Sequence, residues 1–267
     1  MREPAGTLFE FATDAPGFTI DEPVEELGGK FLFVPPGNEE KADAIRVRMP
    51  QFALPGEERV IYRDLPFIHR IHQPEDADGS TLVLLHGTGG NENDLMPFAR
   101  KVAPRATLLG VRGRSTEEGI QRWFRRFDLK RFDQADIRFE AEAFQAFVEG
   151  AVAAYGIDPG RTAFIGNSNG ANLLAAFMRL HPHVVRTAIL LRGQEVLEEQ
   201  PEGGADLSDA SVLLMKGASD PFGDEAGTLE KVLREDGAAL AVSTVAAGHA
   251  LIDEDIRIAS DWLRDKI

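Results

Sequence analysis

Cysteine is absent from the chain, which removes disulfides, thiolate metal sites and cysteine nucleophiles together. Any side-chain nucleophile must therefore be an oxygen or an amine, and a cysteine-free chain suits a reducing compartment. Positive charge is scarce as well: 29 Lys and Arg stand against 44 Asp and Glu, a formal net charge of -15. A surface of that sign repels nucleic acid and anionic lipid, so neither is an expected partner. Long hydrophobic runs are missing, since no window approaches the roughly 18 residues that a membrane span requires. The first residues, MREPAGTLFEFATD, lack the basic region and apolar core of a secretory signal. The expected location is cytoplasmic, with no membrane association.

What is present is enough apolar material for a substantial core: 267 residues, 43% of them hydrophobic. From about residue 81 onward, short apolar runs alternate with helical patterns. The runs are 81–86 (TLVLLH), 106–111 (ATLLGV), 162–166 (TAFIG), 187–191 (TAILL), 211–216 (SVLLMK) and 239–245 (ALAVSTV). Continuous apolar strands suit a sheet covered on both faces, and the alternation predicts βαβ units. Helices are expected over 138–155, 169–180, 225–234 and 251–265. The last carries Ile252, Ile256, Ala259 and Leu263 on one stripe. The predicted fold class is α/β, a mostly parallel doubly wound sheet with helices on both faces and no large cap domain. Residues 1–65 lack this rhythm and read as a separate segment before a domain spanning 66–267. Two strand-like pieces stand out near that boundary and before it, 6–12 (GTLFEFA) and an edge strand over 67–72.

Gly166-Asn167-Ser168-Asn169-Gly170 reads G-x-S-x-G between the apolar strand TAFIG and the helical pattern ANLLAAFMRL. A sharp strand-to-helix turn needs glycines where backbones meet, and it thrusts the serine out near a helix N-terminus, where negative charge is favoured. The plainer reading is a capped loop, because Gly, Asn and Ser all favour such turns. The flanking strand and helix favour the nucleophile.

An alcohol needs a base. His249 follows the strand 239–245 through AAG and precedes the last helix, which puts it at the carboxyl edge of the sheet, where such a base belongs. A lone histidine is more often structural. His86 belongs to the HGTGG turn, His181 and His183 end the helix after the nucleophile, and His69 and His72 sit on the edge strand. Asp220, in KGASDPFG after SVLLMK, is the candidate to orient the imidazole, and Ser168, Asp220, His249 is the chain order expected. An ordinary turn aspartate is the alternative, and Asp224 shares its loop. The glycine-rich turn after 81–86 should supply an oxyanion hole from the N–H groups of Thr88 and Asn169. A nucleotide loop would need Gly-Lys-Ser/Thr or G-x-G-x-x-G, and neither is present.

Taken together, LLHGTGGNENDL, RWFRRFD, GNSNGANL, GASDP and AGHAL resemble the phospholipase/carboxylesterase family of small α/β-hydrolases over 67–267, in particular its bacterial branch associated with quinone and catechol resistance. The resemblance implies an α/β-hydrolase fold and the triad Ser168, Asp220 and His249. It also places the segment around Trp123, Phe124, Arg125 and Arg126 near the mouth of the site as substrate-binding residues. With Arg122, these arginines either recognise a carboxylate-bearing substrate or stack on aromatics and pair with surface acids. Asn167 departs from the family, which usually has an aromatic residue there.

The segments REPAGTLFEFATDAPGF and DEPVEELGGKFLFVPP resemble the C-terminal end of ring-cleaving dioxygenases of the vicinal-oxygen-chelate family. Glu10 matches the carboxylate of that family's two-histidine, one-carboxylate metal site, but His69 and His72 do not match its histidines, so Glu10 reads as a vestigial strand residue.

The expected activity is that of a serine carboxylesterase acting on small esters through an acyl-enzyme, with no cofactor and no metal. Thioesterase or lysophospholipase-type hydrolysis is mechanistically adjacent. The reading from another class is a subunit or fragment of a metal-dependent dioxygenase using Glu10. A small-molecule ester is the expected partner, and both a homodimer and an association with a ring-cleaving dioxygenase stay open.

Overall fold

The computed structural model describes residues 65–128, 131–201 and 203–267, which lie in the second of two units into which the chain divides at Asp64 and Leu65. The strand expected over 6–12, Glu10 and the dioxygenase-like segments lie outside the described residues.

The elements run β1 (His69–His72), β2 (Thr81–Leu85), α1 (Met96–Val102), β3 (Thr107–Val111), β4 (Ser115–Glu117), β5 (Ile120–Arg122) and α2 (Gln134–Tyr155). They continue with β6 (Thr162–Asn167), α3 (Asn169–Leu180), β7 (Thr187–Leu191), β8 (Ser211–Gly217), α4 (Gly223–Glu235), β9 (Ala239–Val245) and α5 (Asp253–Leu263). Seven strands form one sheet in the order β1-β3-β2-β6-β7-β8-β9. Every neighbouring pair is parallel except β1 against β3.

The apolar runs are continuous because the sheet is buried on both sides. In β2, Val83 and Leu85 face a core with α2, α3 and α4, while Leu82 and Leu84 face a second core with α1 and α5. The first core is aromatic, centred on Phe144, which packs against Phe67, Trp123, Phe147, Phe164 and Phe177. Helix α2 starts where the Asp133 side chain accepts the N–H groups of Ala135 and Asp136, and it stops at Gly156, whose φ of 63° suits a residue without Cβ. On α5 the expected stripe holds for Ala259 and Leu263, which are buried, whereas Ile252 precedes the helix and is 37% exposed.

Two elements lie outside the sequence expectations. Helix α1 has seven residues, too few to display a period. The β4–β5 hairpin has polar three-residue strands and turns at Glu118 and Gly119, both at positive φ, the backbone of a type I′ turn; Glu in place of Asn or Asp hides the signal. Among the described residues, no helix is long and apolar enough to cross a membrane, and no group of three or more His, Asp or Glu could hold a metal ion. His69 is a structural residue: its Nδ1–H donates to the Phe67 carbonyl at 2.8 Å, and Nε2 accepts from the Tyr155 hydroxyl at 2.6 Å.

Candidate active site

The strand order reverses direction between β2 and β6: from β2 the chain steps outward to β3, and from β6 it steps the other way through β7, β8 and β9. Such a switch point leaves a crevice beyond the carboxyl ends of the two strands, the preferred place for a ligand in an open α/β sheet. The loop Gly87–Gly90 follows β2, and Ser168 follows β6.

Ser168 sits at φ 50°, ψ -118°, a backbone conformation disfavoured for a residue with a Cβ. It is held by its own N–H, which donates to the Leu191 carbonyl at 2.8 Å. The flanking glycines are sterically required. A Cβ on Gly170 would collide with the carbonyl oxygens of Leu85 and His86, and one on Gly166 would lie 2.6 Å from the Ala171 Cα. Asn169 opens α3, whose first-turn amides have no acceptor within the helix.

The acid and histidine loops are brought together by the last two parallel strands. Beyond β8 and β9 the pairing continues into the loops, with Ala218 donating to the Val245 carbonyl at 2.9 Å and Ser219 to that of Ala247 at 3.0 Å. Gly217 allows this approach, because a Cβ there would strike the Gly248 and Ala247 carbonyls. Asp220 is pinned by the Phe222 N–H on Oδ1 at 3.0 Å, which leaves Oδ2 for His249 Nδ1 at 2.9 Å. On its other side the imidazole meets Ser168, with Nε2 2.8 Å from Oγ. Asp220 is almost buried and the histidine is 37% exposed, so one end of the chain is shielded from water and the other can meet a ligand.

A cavity of about 220 Å³ opens over this chain, lined by Ser168, His249, Thr88 and Asn169, the four residues expected at its catalytic end. The substrate-binding residues expected from the sequence are placed differently. Trp123 and Phe124 are fully buried, the indole donating its N–H to the His86 carbonyl at 2.8 Å. Arg125 is 64% exposed and pairs with Asp133 and Asp136 at 3.0 and 3.3 Å. Of those four only Arg126 lines the cavity, joined there by Arg122. The correction has a simple cause: the chain bends after β5 at Trp123 and Phe124, and both apolar side chains enter the aromatic core while the flanking Arg122 and Arg126 face the cavity. Trp123→Ala is therefore expected to act on stability, lowering it by about 3–5 kcal/mol in urea denaturation. A loss below about 1 kcal/mol would contradict a core role.

His86, dismissed as a base by its position, holds the oxyanion-type loop. Its Nε2 accepts the Gly113 N–H at 3.0 Å, so Nδ1 carries the proton and donates to the Gly87 carbonyl at 2.6 Å. Burial keeps its pKa below the usual histidine value and the ring neutral.

One functional feature was hidden from sequence reasoning. Arg192, at the end of β7, is fully buried with Asp255 of α5, their two bonds measuring 2.9 and 2.8 Å. The same guanidinium donates to the Gly248 carbonyl at 3.0 Å and to that of Ala250 at 3.2 Å, one on each side of His249. The histidine loop is thus clamped by a buried ion pair whose members stand 63 residues apart. A charged residue ending a buried strand is the only trace of this in the sequence.

Comparison with known proteins gives the arrangement its relatives. Residues 67–266 match the model of the phospholipase/carboxylesterase family. A hydrolase of Bacillus subtilis, MhqD, is 33% identical over 196 residues, which cover 70% of this chain and 94% of that protein. A carboxylesterase from Mesorhizobium loti superposes with a TM-score of 0.73 at 39% identity, covering 76% of this chain and 96% of its own. A Bacillus cereus carboxylesterase follows with a TM-score of 0.72, 30% identity and coverage of 77% and 97%. The chain belongs to the phospholipase/carboxylesterase family and is a hydrolase on an α/β-hydrolase fold.

Proposed function

We propose that the protein is a serine carboxylesterase that cleaves small carboxylic esters through an acyl-enzyme. The observation that carries this reading is the unbroken hydrogen-bonded chain from Asp220 through His249 to Ser168, at 2.9 and 2.8 Å, at the floor of the cavity.

With Nδ1–H donating to the Asp220 carboxylate, the Nε2 lone pair faces the Ser168 hydroxyl. Oγ attacks the ester carbonyl carbon as its proton passes to Nε2, and Asp220 stabilises the imidazolium so formed. The carbonyl oxygen becomes an oxyanion, met by the N–H of Asn169 at the start of α3 and that of Thr88. Collapse of the tetrahedral species returns the proton from Nε2 to the departing alkoxide and leaves the acyl group on Oγ. Water, deprotonated by the same nitrogen, then releases the carboxylic acid and restores the serine.

A fluorophosphonate probe should label the wild-type protein and fail to label Ser168→Ala, and short p-nitrophenyl esters should be turned over only by the former. A folded wild-type protein that takes no label and cleaves none of these esters would overturn the assignment.

A further inference from the structure

In a chain of net charge -15, the cavity over Ser168 is lined by three arginines, Arg122, Arg126 and Arg192, and by no carboxylate among the described residues. Arg192 is neutralised by its bidentate bond to Asp255. The other two share a single acid. Glu117 receives both of its close bonds from the Arg126 Nε, at 3.1 and 2.8 Å, and lies 3.5 Å from an Arg122 Nη1 that is not hydrogen-bonded to it.

The Arg122 side chain is only 3% exposed, and its other contacts are neutral: the Thr88 hydroxyl at 3.2 Å and the Phe124 carbonyl at 3.4 Å. Two guanidiniums facing one carboxylate leave one positive charge uncompensated, most of it withdrawn from water. Guanidinium does not shed its proton to escape such a place. Burying a charge without a partner is unfavourable, and the deficit is met when an anion enters. Arg126 presents both of its terminal nitrogens, a planar fork of the kind that binds a carboxylate, and Arg122 adds its Nη2, all without an acceptor among the described residues.

We infer that the site selects an ester that itself carries a free carboxylate, such as the hemiester of a short dicarboxylic acid, with Arg122 and Arg126 binding that carboxylate beside Ser168. The inference rests on the esterase reading and adds its substrate class. A single uncompensated charge matches a monoanion better than a phosphate dianion, and a cavity of about 220 Å³ leaves room for a short acyl chain beside it.

The test compares monomethyl glutarate with its neutral isostere, the methyl ester of glutaramic acid, on the full chain. The wild-type kcat/KM is expected to be at least about tenfold higher for the carboxylate. In Arg126→Gln that ratio should fall toward one, and in Arg126→Lys it should be partly retained. Because each ratio is taken within one protein, a general loss of activity cancels. Glutaramate, a monoanion, should also inhibit turnover of p-nitrophenyl acetate by the wild type more strongly than neutral glutaramide or inorganic phosphate does, a measurement that needs no variant. A wild-type ratio of one or less, a ratio unchanged in Arg126→Gln, or stronger inhibition by phosphate would overturn the inference while leaving the esterase reading in place. Failure to cleave p-nitrophenyl acetate, with no fluorophosphonate labelling, would remove both.

Discussion

Ser168→Ala, His249→Ala and the double variant are expected to lose the same activity, on the order of 10⁶-fold in kcat, instead of compounding one another. The reason lies in the geometry. Ser168 Oγ and His249 Nε2, 2.8 Å apart, share one proton, so each is useless to the attack without the other. Asp220→Asn should cost less, about 10⁴-fold, because the hydroxyl and the base remain and only the tautomer and the stabilisation of the imidazolium are lost. What survives in all these variants is expected to come from the proposed oxyanion donors, the amides at Thr88 and Asn169, which would act on the carbonyl oxygen whether or not a nucleophile is present. Single-turnover rates on an activated ester check this directly. A double variant worse than either single variant by a large factor would show that the two side chains act independently, contrary to the proposed proton transfer.

The second large effect is expected at a residue that touches no substrate. Asp255→Asn leaves the Arg192 guanidinium fully buried against a neutral side chain, and breaking a buried pair from one side costs about 3–5 kcal/mol. For a folded unit of this size, Tm should fall on the order of 10 °C. Activity should fall too, at temperatures where the variant is still folded, because the carbonyls of Gly248 and Ala250 lose their fixed donor and the imidazole its position. Replacing both members with apolar residues, Arg192→Met with Asp255→Leu, separates the two effects. Stability should return in large part, since no charge is then stranded, while kcat stays low because nothing grips the loop. Recovery of kcat together with stability would show that the pair serves folding alone.

Much of the fold was legible because a doubly covered parallel sheet writes itself as unbroken apolar runs: β7 and β9 coincide with their expected bounds, and the others differ by one or two residues at the ends. The edge strand β1 was legible only in part, and α1 and the β4–β5 hairpin were not, because short polar elements take their shape from what they pack on. The same limit applies to the cavity. Ser168, His249 and Asp220 could be chosen from their places after strands, and the tertiary structure brings them within hydrogen-bond distance. Arg122 to Arg126 could not be sorted, since one dipeptide within that run enters the aromatic core and one arginine turns to Asp133 and Asp136.

By itself the sequence restricted any side-chain nucleophile to an oxygen or an amine, through the lack of cysteine, and determined the order of the main strands and helices, through periodicity. It also determined the turn at Ser168, because glycine alone fits where β6 and α3 meet the carbonyls of residues 85 and 86. Only the tertiary structure decided which charges meet. The clamp of Arg192 on the histidine loop and the sharing of Glu117 between Arg122 and Arg126 depend on contacts between elements remote in sequence or folded back on one another. Local periodicity reports which face of an element is buried. The electrostatic partner of a side chain is set by where the whole chain places the next element.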